Sequence, residues 1–553
     1  MKLKLKWNIW TTTSLVVLAL YLVFLVYPLG NILKIAIFPN DRFSFSNFVT
    51  FFSKSYYSQT LWNSFKVSVT ATAITLVLGL LLGYLFSMYR FKGKKLLQIL
   101  IVIASMSAPF VGAYSWILLL GRNGVITNFL TDTLHFPQFN IYGFAGIVLV
   151  FSLQLFPLVF LYIVGAFSSI DNSLLEASEN MGNVGFKRFL TVICPLLLPT
   201  ILASALLVFM RAFSDFGTPM LIGEGYRTFP VLIYTQFISE VGGNASFASS
   251  LAIIAIVISL FVFIVQKYVA NKNSFSMSSL HSVEPKTSSG IQRVLIYLVM
   301  YGVVGIAIMP QIYLIYTSFK NTSGMIFVPG YSLNSYTEAF SRMGSAIWNS
   351  IYIPLIALAI VIVLASLISY MAVKQKNKIT SGIDILSMIP YIVPGTVMGI
   401  SLLAAFSMGI AGSGVLAIVG TAVIIIVSLV IRRLPYTIRS SVASLGQIPS
   451  SIEEAAENLG SSRFNTFIKI MLPMMASGIV SGAILSWITM LSELSTSILL
   501  YTVNTRTMPV AVYTEVLRGN YGIAAALSTI MTALTVAALL LFMKITKSDR
   551  ITL

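Results

Sequence analysis

Long apolar runs separated by short polar joints dominate this chain. Twelve runs approach or exceed the roughly 20 residues that a helix needs to cross a bilayer. Six lie near residues 9–33, 61–89, 96–120, 142–168, 189–213 and 249–270; six more lie near 291–318, 347–373, 380–408, 414–437, 468–491 and 522–545. The pattern predicts an all-α integral membrane protein with twelve transmembrane helices in two sets of six. Pro109, Pro157, Pro390 and Pro394 interrupt apolar runs; such breaks either line a cavity or pack as kinks. Between the sixth and seventh runs, residues 271–290 are Ser-rich and polar, as in a flexible linker. The expected organisation is a first half at 1–270, the linker at 271–290 and a second half at 291–553.

Composition agrees with the pattern. The 553 residues are 57% hydrophobic and 9% charged, where a soluble chain carries about 25% charged residues. The net charge of +18 raises nucleic acid as a partner, but the basic residues cluster in the joints. With the N-terminus inside, 24 of the 35 Lys and Arg fall on cytoplasmic segments, among them Arg90–Lys95, Lys187–Arg188, Lys374–Lys378, Arg432, Arg433, Arg439 and Arg463. That bias predicts both termini in the cytoplasm and removes the case for nucleic acid. The first apolar run is too long for a signal-peptide core and is expected to be a retained span. Cys194 is the only cysteine, and with His135 and His281 it makes neither a disulfide nor a conventional zinc site.

The two halves repeat. An offset of 278 carries Ser173 onto Ser451, Glu176 onto Glu454, Gly182 onto Gly460, Pro195 onto Pro473, and "SDFGT" at 214–218 onto "SELST" at 492–496. One residue further out of step, "RTFPVLIYT" from Arg227 matches "RTMPVAVYT" from Arg506. Six runs per copy is an even number, so the copies share one orientation, as in parallel repeats related by an axis along the membrane normal. The seam between halves is the natural place for a path.

Each copy carries one polar insert on its expected cytoplasmic side. Ser173-Leu-Leu-Glu176 and Ser451-Ile-Glu-Glu454 read as capping boxes, and Gly182 and Gly460 stand where a left-handed residue ends a helix. Two short helices are predicted, near 173–182 and 451–460. Their apolar stripes are Leu174, Ala177, Ser178 and Met181, and Ile452, Ala455, Ala456 and Leu459, at helical spacing. The stripes can pack on the protein's own bundle, lie at the lipid interface, or dock into grooves of a two-fold partner.

"EASENMG" followed by Pro195, and "EAAENLG" followed by Pro473, resemble the EAA loop of ATP-binding-cassette importer permeases. Ser178 stands where the motif has its second alanine, one small residue for another. The resemblance spans nearly the whole chain, twice. It implies a type I importer permease fold, with Glu176, Ala177, Ser178 and Gly182, and Glu454, Ala455, Ala456 and Gly460, on coupling helices. It also implies two copies of a separate ATPase subunit and an extracytoplasmic substrate-binding protein as partners. No phosphate-loop pattern GxxxxGK[ST] occurs here, so no cofactor is expected in this chain, ATP belongs to the ATPase, and the chain itself is not an enzyme.

Asp215 and Glu493 occupy equivalent positions at the end of the fifth run of each half. Two carboxylates aimed at one axis would suit a hard, highly charged cation, and both are candidate metal-path residues. Each could equally cap a helix or pair with an arginine such as Arg211, Arg227 or Arg506. "RAFSDFGTPMLIG" and "SELSTSILLY" resemble fused ferric-iron permeases; related fused permeases carry 2-aminoethylphosphonate, thiamine or polyamines. Charged residues in the expected outer segments, Glu224, Glu240, Glu515 and Arg518, are candidates for a binding-protein landing face. An ion-gradient-driven transporter and a membrane scaffold that recruits soluble proteins through the insert helices are the rival classes; the first gives no account of duplicated cytoplasmic helices at matching spacing, and the paired acids at equivalent outer positions argue against the second.

Overall fold

The computed structural model of the chain describes residues 9–106, 109–138, 140–168, 170–238, 244–272, 283–323, 326–375 and 377–546. Most of the expected linker, together with Glu240, His281, Lys2, Lys4, Lys6, Lys547 and Arg550, lies outside the described residues. Among those described, helices dominate, and two two-stranded ribbons are the only sheets.

Eight helices are long and apolar enough to span a membrane: Ile9–Ile37, Ser55–Met88, Phe144–Phe167, Phe189–Ser214, Ala245–Tyr268, Gly290–Ser318, Asn334–Lys374 and Tyr521–Leu541. Three bent pairs raise the total to eleven. Lys378–Ile392 turns into Gly395–Phe406 through 112°, Lys94–Ser105 into Phe110–Thr133 through 99°, and Arg463–Met474 into Ala476–Leu491 through 68°. The breaks at Pro394 and Pro109 are therefore re-entrant or broken spans. Pro157 and Pro390 lie inside continuous helices.

The run expected at 414–437 is placed differently. Gly409, Gly412, Gly414 and Gly420 all take positive φ, which folds residues 409–421 into turns, and the helix runs instead from Ala422 to Gly446. Arg432 and Arg433 consequently sit inside a helix, not in a cytoplasmic joint, and drop out of the charge bias used for orientation.

The chain forms two compact units that draw on both sides of the expected linker. One holds residues 1–50, 233–256 and 333–551; the other holds 51–232, 257–332 and 552–553. In the first unit the opening span covers the second half's broken span, with Phe24 and Tyr27 against Phe406 at ring separations of 5.8 and 6.1 Å. Trp10 packs at a tilt of 43° against Tyr370, ring centroids 4.5 Å apart, and meets Phe467 edge-on at 5.2 Å. In the second unit the helix Gly290–Ser318 covers the first half's broken span, burying Ile296, Met300, Val304 and Ile308 against Leu97, Ile101 and Ala104. A bent pair cannot seal its own apolar flank, and a straight helix with buried positions every fourth residue supplies the cover. The same unit packs Ser55–Met88 tightly on Phe144–Phe167. A β-carbon on Gly79 would lie 2.5 Å from Val159, and one on Gly83 2.6 Å from Ile163, which is the close approach that small residues permit between apolar helices.

Local geometry repeats with the sequence. Wide π-type turns at Phe189–Ile193 and Phe467–Met471 stand 278 residues apart, each ending two residues before a proline, Pro195 or Pro473. Proline has no amide to close the ordinary turn, and the ladder widens there.

Candidate functional site: the insert helices and the buried charge cluster

The inserts fold as helices Asn172–Asn180 and Ser450–Asn458, nine residues each. Their C-terminal ends match the expectation. Gly182 and Gly460 take φ of +80° and +84°. Gly182 N donates to Glu179 O and Asn183 N to Ser178 O; Gly460 N donates to Glu457 O and Ser461 N to Ala456 O. Both are the paired closure of a Schellman motif. The N-terminal ends do not match. Asp171, not Ser173, caps the first helix, accepting from Ser173 N at 2.9 Å, while Glu176 accepts from Asn172 Nδ2 at 2.6 Å. The second helix follows Pro449 without a side-chain cap. Neither capping box forms, because an acid and a proline just upstream start each helix earlier.

The expected stripes divide between two faces. Ser178 and Ala456 are buried and turn toward the protein body, as does Leu175. Ala177 and Ala455 are exposed, and Met181 and Leu459 stand 81% and 89% exposed. Glu176 and Glu454 are also exposed. Each helix thus keeps an apolar edge with no internal partner.

Both helices are tied down, by different means. In the first, Glu179 accepts from Arg188 Nη1 at 2.8 Å and from Lys286 Nζ at 2.7 Å. These contacts hold its carboxyl below the usual carboxylate range, Lys286 having the largest effect and Arg188 adding to it. Lys286 and Thr287 form a parallel ribbon with Tyr89 and Arg90. In the second helix Glu457 accepts from Arg463 Nε at 3.1 Å, and Glu453, the counterpart of Leu175, accepts from the Tyr370 hydroxyl.

The two candidate path acids share one local role. Asp215 Oδ1 accepts from Thr218 N at 2.8 Å and Glu493 Oε1 from Thr496 N at 3.1 Å, each capping the turn that follows. Glu493 does more. It is 5% exposed, and its two oxygens pair with Arg432 and Arg433, one each. Arg432 also donates to Thr496 Oγ1 at 2.8 Å. Two of the arginines anticipated as partners make other contacts: Arg506 reaches Met343 Sδ and Arg227 lies over the Tyr56 ring. Among the described residues, no cluster of three or more His, Cys, Asp or Glu could hold a metal ion. In the outer segments, Glu224 pairs with Arg122 at 2.7 Å. Glu515 is buried, bound by Arg518 and Asn520 at 3.0 and 2.6 Å.

A second duplicated device had no place in the sequence reading. Asn63 Nδ2 donates to Arg227 O at 3.0 Å, and Phe229 N donates to Ser64 Oγ at 2.7 Å. Asn349 Nδ2 donates to Arg506 O at 2.8 Å and to Asn504 O at 2.9 Å, and Met508 N donates to Ser350 Oγ at 2.6 Å. The signal was "WNS" at 62–64 and 348–350, which are 286 apart and so invisible to an offset of 278.

The sequence pattern of the family described as "Binding-protein-dependent transport system inner membrane component" matches residues 75–274 and again 367–547. A protein of Actinobacillus pleuropneumoniae named "Ferric transport system permease protein FbpB" is 28% identical over 545 residues, 97% of this chain and 78% of its own. A Haemophilus influenzae protein named "Putative ferric transport system permease protein FbpB 1" is 28% identical over 502 residues, 89% of this chain and 78% of its own. A Haemophilus influenzae protein named "Spermidine/putrescine transport system permease protein PotB" is 28% identical over 272 residues, 47% of this chain and 93% of its own.

Proposed function

The chain belongs to the family of binding-protein-dependent transport system inner membrane components, and on that footing we propose that it is the permease of an ATP-driven importer for ferric iron. An extracytoplasmic binding protein delivers the cargo. Two ATPase subunits dock on the helices Asn172–Asn180 and Ser450–Asn458, and both chain termini lie in the cytoplasm. The observation that carries this reading is the duplicated, anchored helix that ends in an exposed Met181 or Leu459. An apolar edge of this kind, presented twice, fits the helix-in-groove mode of docking. The cargo assignment is supported by similarity along nearly the whole chain to permeases named for ferric transport.

In this mechanism the working halves are residues 1–270 and 291–553. ATP binding draws the two ATPases together, and each insert helix is pulled with its ATPase. The motion passes through the ties to Arg188 and Lys286 in one copy, and to Arg463 and Tyr370 in the other. The path then opens alternately to the two sides.

The test is uptake of radiolabelled ferric iron into proteoliposomes holding the chain, its ATPase and its loaded binding protein. ATP-dependent accumulation, with two ATPases copurifying per chain, is the expected result. Accumulation driven by an ion gradient without ATP would replace the importer with a secondary transporter. ATPase stimulation by a polyamine-loaded binding protein, and not by an iron-loaded one, would overturn the cargo alone.

A further inference from the structure

The broken span of the first compact unit brings a helix start to a buried pair of arginines. Pro394 precedes the twelve-residue helix Gly395–Phe406, whose first bond within the turn is Met398 N to Pro394 O. The amides of Gly395, Thr396 and Val397 therefore precede the first closed turn, where a helix presents N–H groups and the positive end of its dipole. Gly395 lies against the Arg432 guanidinium: a β-carbon there would stand 2.8 Å from Nη1 and 3.0 Å from Nη2. In the same turn the Thr396 hydroxyl is fully buried without a hydrogen-bond partner, and so are the Nε atoms of Arg432 and Arg433.

Charge points the same way. The side chains of Arg432 and Arg433 are 15% and 12% exposed, and among the described residues Glu493 is the only carboxylate paired with either. Two guanidinium groups and one carboxylate leave one positive charge in excess in a cluster largely removed from water, where an unbalanced charge is costly. The other copy lacks this excess. Gln154 and Leu155 stand 278 residues before Arg432 and Arg433, and Gln154 packs near Gly112 as Arg432 packs on Gly395.

We propose that Arg432, Arg433, Thr396 and the start of the helix Gly395–Phe406 form a binding site for a compact oxyanion, of the phosphate or carboxylate class. The anion takes the free arginine and hydroxyl donors and the first-turn amides, as at the half-helix N-termini of other broken spans. Glu493 holds the guanidinium groups in position. This deepens the importer reading and rests on it in one respect: a trivalent cation would pass such a site only with an anion bound to it.

The test is equilibrium dialysis of [32P]phosphate with the full chain in phosphatidylcholine nanodiscs, which needs neither iron nor ATP. Saturable binding of one phosphate per chain is expected. It should be weakened roughly tenfold or more by Arg433→Leu, which restores the residue of the other copy and leaves Glu493 paired with Arg432. Thr396→Val, which removes only a hydroxyl, should weaken binding by a smaller factor and serves if Arg433→Leu does not fold. Dual labelling of proteoliposome uptake with [32P]phosphate and radiolabelled iron then separates the two sources. Phosphate that accumulates in step with iron rides on the cargo, and phosphate bound without being carried is a free resident anion. No saturable phosphate binding by the parent chain at millimolar concentration, or binding unchanged in both variants, would overturn the site whatever becomes of iron uptake.

Discussion

Lys286 reaches back 107 residues to place its ammonium 2.7 Å from Glu179, tying the end of the expected linker to the first insert helix. The second insert helix is tied differently: its Glu457 uses the nearby Arg463 and its Glu453 the Tyr370 hydroxyl. The joint between halves is thus tied to one insert helix, which a purely flexible connection would not be.

Lys286→Gln should loosen the helix Asn172–Asn180. Its amides should exchange hydrogen about two- to fivefold faster, as expected for a half-exposed ion pair, while those of Ser450–Asn458 stay unchanged. The sign with pH follows from the lowered Glu179 carboxyl. The tie is complete above the ordinary glutamate pKa of about 4.3 and is lost as pH falls through the lower folded-state value. After correction for intrinsic rates, protection of this helix should hold from pH 8 to 5 and fall only in stronger acid. A drop near neutrality would sink the assignment.

The terminating glycines should matter for conformation alone. Nothing lies within 4 Å of a β-carbon built on Gly182 or Gly460, so the cost of Gly→Ala is the left-handed backbone, about 1 kcal/mol each. Thermal unfolding and ATPase affinity should both weaken modestly in Gly182→Ala and Gly460→Ala, and Asn should restore most of the loss at either site. Equal effects of Ala and Asn would rule out the conformational account.

Met181→Asp and Leu459→Asp separate docking from folding. Both side chains are exposed and touch little of their own unit, so folding should be unaffected, whereas ATPase affinity should fall roughly tenfold or more per site if each anchors a partner groove. Pull-down stoichiometry with the double variant reads this directly. Retention of two ATPases per chain would remove these residues from the interface.

The sequence made visible whatever depended on local pattern. The 278-residue offset, the insert helices and their terminating glycines needed only spacing and backbone preference. The starts of those helices were misplaced because Asp171 and Pro449 act from outside the repeated motif. Arg432 and Arg433 looked like a joint because periodicity cannot reveal a counter-charge 60 residues away, and only folding brings Glu493 to them. The exchange of opening spans was hidden for the same reason: covering a broken span is a long-range demand that leaves no local mark.

The duplicated asparagine clamp gives a graded prediction. Asn349 satisfies two backbone carbonyls where Asn63 satisfies one. Leaving a buried carbonyl without its donor costs about 1–3 kcal/mol, so Asn63→Ala should destabilise by about that amount and Asn349→Ala by about twice as much. Thermal unfolding of the two variants side by side checks the order, and equal or reversed losses would show that the carbonyls find other donors.

Asp215 and Glu493 should part company under mutation although they occupy equivalent positions. Asparagine keeps an oxygen that can accept from Thr218 N and is as good a helix cap as aspartate, so Asp215→Asn should leave that cap in place. Glu493→Gln removes the carboxylate paired with two buried guanidinium groups, a change of about 3–5 kcal/mol. Adding Arg433→Leu to Glu493→Gln removes one of the uncovered charges and should recover a large part of that loss, giving a strong coupling in a double-mutant cycle. Uptake lost in a combined Asp215→Asn, Glu493→Gln protein would therefore report a broken charge cluster before it reported a missing cargo ligand. Uptake that returns when Arg433→Leu is added would place Glu493 among the residues that hold the path together. Stability restored without uptake would leave its carboxylate with a direct part in transport.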